Sequence, residues 1–190
     1  ASLGYLPSSL AVRAGQLIVS GRSFTNVVVG GSREGNHWRA NVDAEELNGY
    51  VEYRQPSGTQ PGNVFARLAR MTLAPGAASE VEQILQQPSS VPALDIAVDE
   101  LSVGDRLLGR VEIEAVNRGG VPRQREWRLT KLKLAAPEAR LSATGNWAAT
   151  AAGNGAARRT ALSFTLDIDD SGQLLARLGR EGLVRGGKGR

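Results

Sequence analysis

The sequence predicts a mainly β fold: a curved antiparallel sheet, either an open trough or sandwich-like, with two short helices. Two observations predict it. Apolar residues recur at every second position over several long runs, which puts alternate side chains on opposite faces of a sheet. Helical period is confined to two brief segments. The faces left over are charged, and strands with one wet face belong to antiparallel sheets, not to parallel sheets covered by helices.

Along the chain, 27–35 (VVVGGSREG) reads as a strand followed by a turn. Trp38, Ala40 and Val42, then Leu47, Gly49, Val51 and Tyr53, form a hairpin around an acidic turn from Asp43 to Glu46. In 62–73, Val64, Ala66 and Leu68 fit a strand, although Phe65, Leu68 and Met71 also share a helix face; strand is preferred. Residues 77–87 carry helical period, with Ser79 and Glu82 spaced as a capping box and Pro88 ending the run. The polar, proline-bearing stretch 86–92 divides the chain into a looser β region, 1–87, and a more regular one, 88–190, within one β body.

The second region alternates more strictly. In 106–116, Leu107, Val111, Ile113 and Ala115 oppose Arg110, Glu112 and Glu114. In 125–134 the apolar phase slips between Leu129 and Leu132, as a bulge makes it do. In 138–147, Ala139, Leu141, Ala143, Gly145 and Trp147 share a face, and in 160–169 so do Leu162, Phe164, Leu166 and Ile168. A short helix follows at 171–178, with Asp169 and Asp170 placed to cap it and Gly179 to end it.

At 190 residues and 41% apolar, the chain has the material for a core. No run approaches the ~18 apolar residues of a membrane helix, and no basic-then-apolar leader opens the chain. The opening at Ala1 and the GGKGR end read as a segment of a longer protein, with any anchor or export signal elsewhere. The net charge of +4 rests on twenty arginines and three lysines. They alternate with acids instead of forming a block, so the basic balance describes a solvated sheet face and not a phosphate-tracking stripe. No nucleic-acid partner is expected.

Little chemistry is on offer. There is no cysteine, which removes disulfides, zinc fingers and thiol nucleophiles. His37 is the one histidine, too few for a metal cluster or a triad, and reads as a strand-edge residue. Gly182 to Gly189 nearly writes a P-loop but has Gly189 where a Ser or Thr belongs, and reads as a linker. Asp167, Asp169 and Asp170 read as solvated carboxylates and a helix cap, not as a calcium site. Glu45, Glu46, Asp95, Asp99 and Glu100 show no spacing that favours glycoside hydrolysis. No catalytic, metal or cofactor residue is assigned. What remains is the apolar strand face: Val111, Ile113, Ala139, Leu141, Ala143, Trp147, Leu162, Phe164, Leu166 and Ile168. Period alone leaves open whether it is a sandwich core or an uncovered lining.

Several phrases in order, PALDIAVDELSVGDRLLGRVEIEA, EWRLTKLKLAAPEARLSATGNW, LSFTLDIDDSGQLLARLG and VRGGKGR, resemble the C-terminal part of the YhdP branch of AsmA-like proteins. The markers are Pro92 to Asp95, Leu108-Gly109, Trp127 with Leu132, Leu141 to Gly145 with Trp147, and Leu174-Leu175 before Gly179. Residues 14–73 match more loosely through Gly30, Trp38, Leu47, Gly49 and Ala66 to Leu68. The resemblance implies the periplasmic portion of a large protein of the Gram-negative envelope, anchored in the inner membrane. It further implies that such a protein carries phospholipid toward the outer membrane along a hydrophobic groove, without catalysis or cofactors. The ten residues of the apolar face are then expected to meet acyl chains. Other partners implied are neighbouring segments of the same chain and envelope proteins.

Overall fold

A computed structural model describes residues 8–19, 21–58, 60–75, 91–118, 126–149, 158–180, 182, 184 and 186–189. Ten strands follow in chain order: β1 (Ser9–Val19), β2 (Arg22–Glu34), β3 (His37–Asp43), β4 (Leu47–Arg54), β5 (Asn63–Leu73), β6 (Ala93–Val103), β7 (Arg106–Arg118), β8 (Glu126–Ala136), β9 (Ala139–Ala149) and β10 (Arg158–Ile168). A helix, α1 (Ser171–Arg177), follows the last. All ten strands hydrogen-bond into one sheet in sequence order, and the sheet does not close into a barrel. The strands thus make one continuous sheet and not two.

The hairpin of β3 and β4 has the expected bounds, and 62–73 is strand β5. At 27–35 the strand continues through Gly30 and Gly31 to Glu34, and the turn falls at Gly35, whose φ is +57°. The expected capping-box helix at 77–87 lies outside the described residues. One expectation is corrected. The sheet is not wholly antiparallel, because β5 and β6 pair in parallel, Asn63 opposite Ala93 through Leu73 opposite Val103. Parallel neighbours need a connection of a dozen or more residues to return to the starting end, and 74–92 supplies that length.

Bulges interrupt the ladder. In β8 the slip at Leu129/Leu132 is one: Leu129 faces Gly145 and Leu132 faces Ala143, leaving Thr130 and Lys131 opposite Thr144. Further shifts fall at Asn48/Gly49 on β4, and at Val98/Leu101 and Leu101/Ser102 on β6. Gly49 and Gly109 sit beside them with φ of +143° and +116°, a backbone that side chains disfavour. Bulges bend strands and increase twist, so the sheet is curved. The bulge on β7 also corrects the expected phase of 106–116: Leu107 pairs with Ser102, off the Val111 face, and is 44% exposed.

Burial is concentrated on one side. Ala66, Leu68, Val98 and Val111 form a buried cluster, with Leu47 and Val51 of β4 and Leu132 and Leu134 of β8 packed around it. A second cluster joins Val91, Ala115, Trp127 and Leu129. There the Trp127 ring meets Trp147 edge-on with centroids 5.2 Å apart, and its Nε1–H donates to the Pro92 carbonyl at 3.0 Å. Among the described elements, the extensive contacts join neighbouring strands, and α1 touches β7.

Candidate functional site

Cross-strand register assembles the apolar side chains into rows running across the strands, since directly paired residues share a face. One row passes through Leu10, Gly31, Ala40, Val51, Ala66, Ile96, Ile113, Leu132, Ala143 and Phe164. The next passes through Val12, Val29, Val42, Gly49, Leu68, Val98, Val111, Leu134, Leu141 and Leu166. Each takes one residue from every strand and contains no polar side chain. With strands ~4.8 Å apart, nine steps make an apolar floor roughly 43 Å long.

Register places the ten candidate residues on one side of the sheet. Val111, Ile113, Ala143, Leu141, Phe164 and Leu166 belong to the two rows. Ala139 pairs with Ile168 beyond one side of them, and Trp147 with Trp127 and Leu162 with Gly145 lie toward the other. Their exposure differs. Phe164 is 68% and Leu162 53% exposed on the edge strand β10, while Val111, Ala139 and Ala143 are buried among their neighbours and the others half-buried. The strands before β6 contribute as many floor residues; the alternation of β3 to β5 is legible, but that their apolar side joins the face of β7 to β10 depends on pairing register, which no single strand encodes. All three tryptophans, Trp38, Trp127 and Trp147, stand on this side, Trp38 through its pairing with Tyr53 and Val64.

The opposite face carries charge in pairs. Arg67 meets Asp95 at 2.7 Å, Lys131 meets Glu112 at 2.6 Å and Glu114 at 3.1 Å, and Arg110 meets Asp99 at 3.0 Å. The Lys131 hydrogen bond, with its charge behind it, holds Glu112 below the ordinary carboxylate range, and Glu112 in turn raises Lys131. His37 opens β3 and bonds Glu52 at 2.7 Å, and Glu52 also accepts from the Tyr50 hydroxyl at 2.8 Å. The Tyr50 and Phe65 rings meet edge-on on this face, with the Arg67 guanidinium 4.1 Å from the Phe65 centroid. Of the carboxylates at 45–46 and 95–99, Glu45 accepts from Asn26, Glu46 from Thr25, Asp95 pairs with Arg67 and Asp99 with Arg110. Among the described residues no group of three or more His, Cys, Asp or Glu is placed to hold a metal.

Strand ends form the rims. On one, Arg177 of α1 pairs with Glu138, a carboxylate only 3% exposed in the turn between β8 and β9. Asp170 caps the helix by accepting from the Gln173 N–H at 3.0 Å, as expected, and Asp169 pairs with Arg140. The glycine run near the C-terminus completes this corner: Ser171 bonds the Gly186 and Gly187 carbonyls, and Gly189 bridges to Ile168. These bonds lead the run back to the sheet, not around a phosphate.

Farther along the same rim lies a cleft of about 530 Å³, lined by Phe24, Leu47, Met71, Leu73 and Pro75, with Arg22, Ser23, Glu46 and Asp105 among its polar residues. Strict alternation from Val27 would turn Phe24 to the charged face. The left-handed φ of +53° at Asn26 shifts the phase and brings Phe24 in. Glu46 accepts from the Thr25 N–H and hydroxyl, both at 2.8 Å. Partial burial pushes its carboxyl up, but the two Thr25 bonds together with one from its own backbone N–H outweigh it and leave the group below its ordinary range.

The model of one protein family, described as YhdP protein, matches residues 1–190. The chain belongs to the YhdP family. Neither a curated protein nor a solved structure matches it. The YhdP family is one of membrane-associated envelope proteins, connected with lipid transport and not with catalysis. No helix among the described residues of this YhdP segment is long and apolar enough to cross a membrane.

Proposed function

We propose that the apolar face is the lining of a phospholipid conduit between the inner and outer membranes, and that this segment works in the periplasm. The observation that carries the reading is the pair of apolar rows, unbroken through all ten strands of a sheet that does not close into a barrel. The middle of the rows, at Ala66, Leu68, Val98 and Val111, is buried by side chains of the neighbouring strands, so the apolar surface left for a ligand lies at half-buried and exposed members of the face such as Val51, Leu134, Leu141, Leu162 and Phe164. Exposed apolar surface is tolerated when a ligand or partner covers it. Acyl chains suit it because a path across strands offers methyl and methylene contacts at every step and asks for no hydrogen bond. The exposed Leu162 and Phe164 at the β10 edge leave that end open to the next covering surface.

Mass spectrometry of the protein purified from membranes tests the reading. Phospholipid is expected in the wild-type sample and at much lower occupancy when Phe164 and Leu141 are both replaced by Asp in a chain that still folds. Absence of lipid from the wild type, or equal lipid in the folded variant, counts against it.

A further inference from the structure

We infer that a cleft on the charged face binds a saccharide, whose ring packs on Phe65 while Arg54, Asn63 and Glu52 hydrogen-bond its hydroxyls. The site lies on the side of the sheet away from the apolar floor and stands independently of the conduit reading. The cleft is lined by His37, Glu52, Arg54, Asn63 and Phe65 and measures about 320 Å³, at the lower end of the range for ligand clefts. Register builds it. His37 pairs with Arg54 and Arg54 with Asn63, and in the adjacent row Arg39 pairs with Glu52 and Glu52 with Phe65. The five lining side chains therefore stand side by side on three strands, at the ends of β3, β4 and β5 away from the acidic turn.

Some of these groups are already engaged and some are not. Arg39 donates to His37 Nδ1 at 3.3 Å, which leaves the Nε2–H to donate to one Glu52 oxygen at 2.7 Å, while the Tyr50 hydroxyl donates to the other at 2.8 Å. The Tyr50 bond, and after it the His37 bond, hold the Glu52 carboxyl below its ordinary range. Two bonds use only part of the acceptor capacity of a carboxylate, and the Glu52 side chain is 30% exposed, so lone pairs remain for a ligand. Among the described residues, no side-chain hydrogen bond or ion pair engages Arg54 or Asn63, and both are exposed. The Phe65 ring is fixed by the Arg67 guanidinium 4.1 Å from its centroid and by the edge of Tyr50. A sugar uses all of this. Its C–H bonds suit the electron-rich surface of an aromatic ring, and its hydroxyls, each both donor and acceptor, call for donors and acceptors side by side. Arg54 supplies donors, Glu52 acceptors and Asn63 both. A small anion would use Arg54 and Asn63 but gain nothing from Phe65 and meet the charge of Glu52.

The probes are maltotriose, cellotriose and chitotriose, each titrated into the nitrogen-15-labelled chain and followed by amide NMR shifts. At least one is expected to shift the amides of residues 52–54 and 63–65. Arg54→Ala removes a side chain without a partner, so the fold is expected to stand while the saccharide binds about tenfold more weakly, the worth of one hydrogen bond from a charged group. Phe65→Leu keeps an apolar side chain but not the ring, and is expected to weaken binding several-fold. Arg13→Ala, at an exposed position of β1 on the same face, is expected to change nothing. If Phe65→Leu does not fold, the contrast between Arg54→Ala and Arg13→Ala decides. No shift with any of the three saccharides, shifts confined to other parts of the sheet, or undiminished binding in Arg54→Ala overturns the inference. Tighter binding of inorganic phosphate or acetate at the same amides, unaffected by Phe65→Leu, overturns it in favour of a simple anion site.

Discussion

Replacement of Phe164 by Asp separates a lining from a core by magnitude. Phe164 is 68% exposed, so folding covers about a third of its surface. Of the ~190 Å² of a phenylalanine, some 60 Å² is then buried, worth ~1.5 kcal/mol at ~25 cal/mol per Å². The remaining ~130 Å² is available to a lipid and at the same rate amounts to ~3 kcal/mol, a factor of ~150 in affinity. The substitution is therefore expected to lower the urea unfolding free energy by no more than ~2 kcal/mol while reducing bound phospholipid about a hundredfold. The two assays are equilibrium urea unfolding followed by tryptophan emission, and lipid counted by mass spectrometry. A variant that fails to fold would show that something covers Phe164 in the free protein. A folded variant with full lipid would show that the face does not carry it.

Other outcomes follow from the same geometry. Val98→Ala, at a site 1% exposed in the main cluster, should lose about 2 kcal/mol in urea unfolding, several times the effect of the same change at Val116, 39% exposed. Gly49→Ala should destabilise the β4–β5 bulge strongly, because φ is +143° and a Cβ there would run into the Arg67 carbonyl; a lowered thermal midpoint checks this. Arg177→Met leaves Glu138 buried without its partner and should cost about 3 kcal/mol or release α1, read as faster amide exchange in Ser171–Arg177. Glu112 has its folded pKa depressed from 4.5, so its contribution to stability is complete at neutral pH and is lost as pH falls through the lower folded value. The Tm should hold from neutral pH down to about 5 and drop below that, with a smaller drop in Glu112→Gln.

Much of the fold was legible because alternation is a local property. β9 and β10 announced their faces directly, and the three-residue step from Leu129 to Leu132 exposed its bulge, since an extra residue shifts the phase of everything after it. Leu107 was misplaced because a bulge so near the strand end leaves too few residues beyond it to reveal the shift. Phe24 escaped notice because its orientation depends on one left-handed asparagine. The parallel β5–β6 pairing is a relation between distant segments, and no period within either strand encodes it. The rows themselves were illegible for the same reason: each strand displays its alternate side chains, but only register determines which of them meet. Alternation also serves one sheet and two equally well, so the number of sheets required the strand order.

Each strand here leans on the two beside it and on little else. A globule gains stability by enclosing volume, which caps its useful size, whereas this arrangement gains a similar increment with each added neighbour, as repeat proteins do. Its length is therefore free of the limit that a shared interior imposes. A molecule built this way can be lengthened or shortened strand by strand.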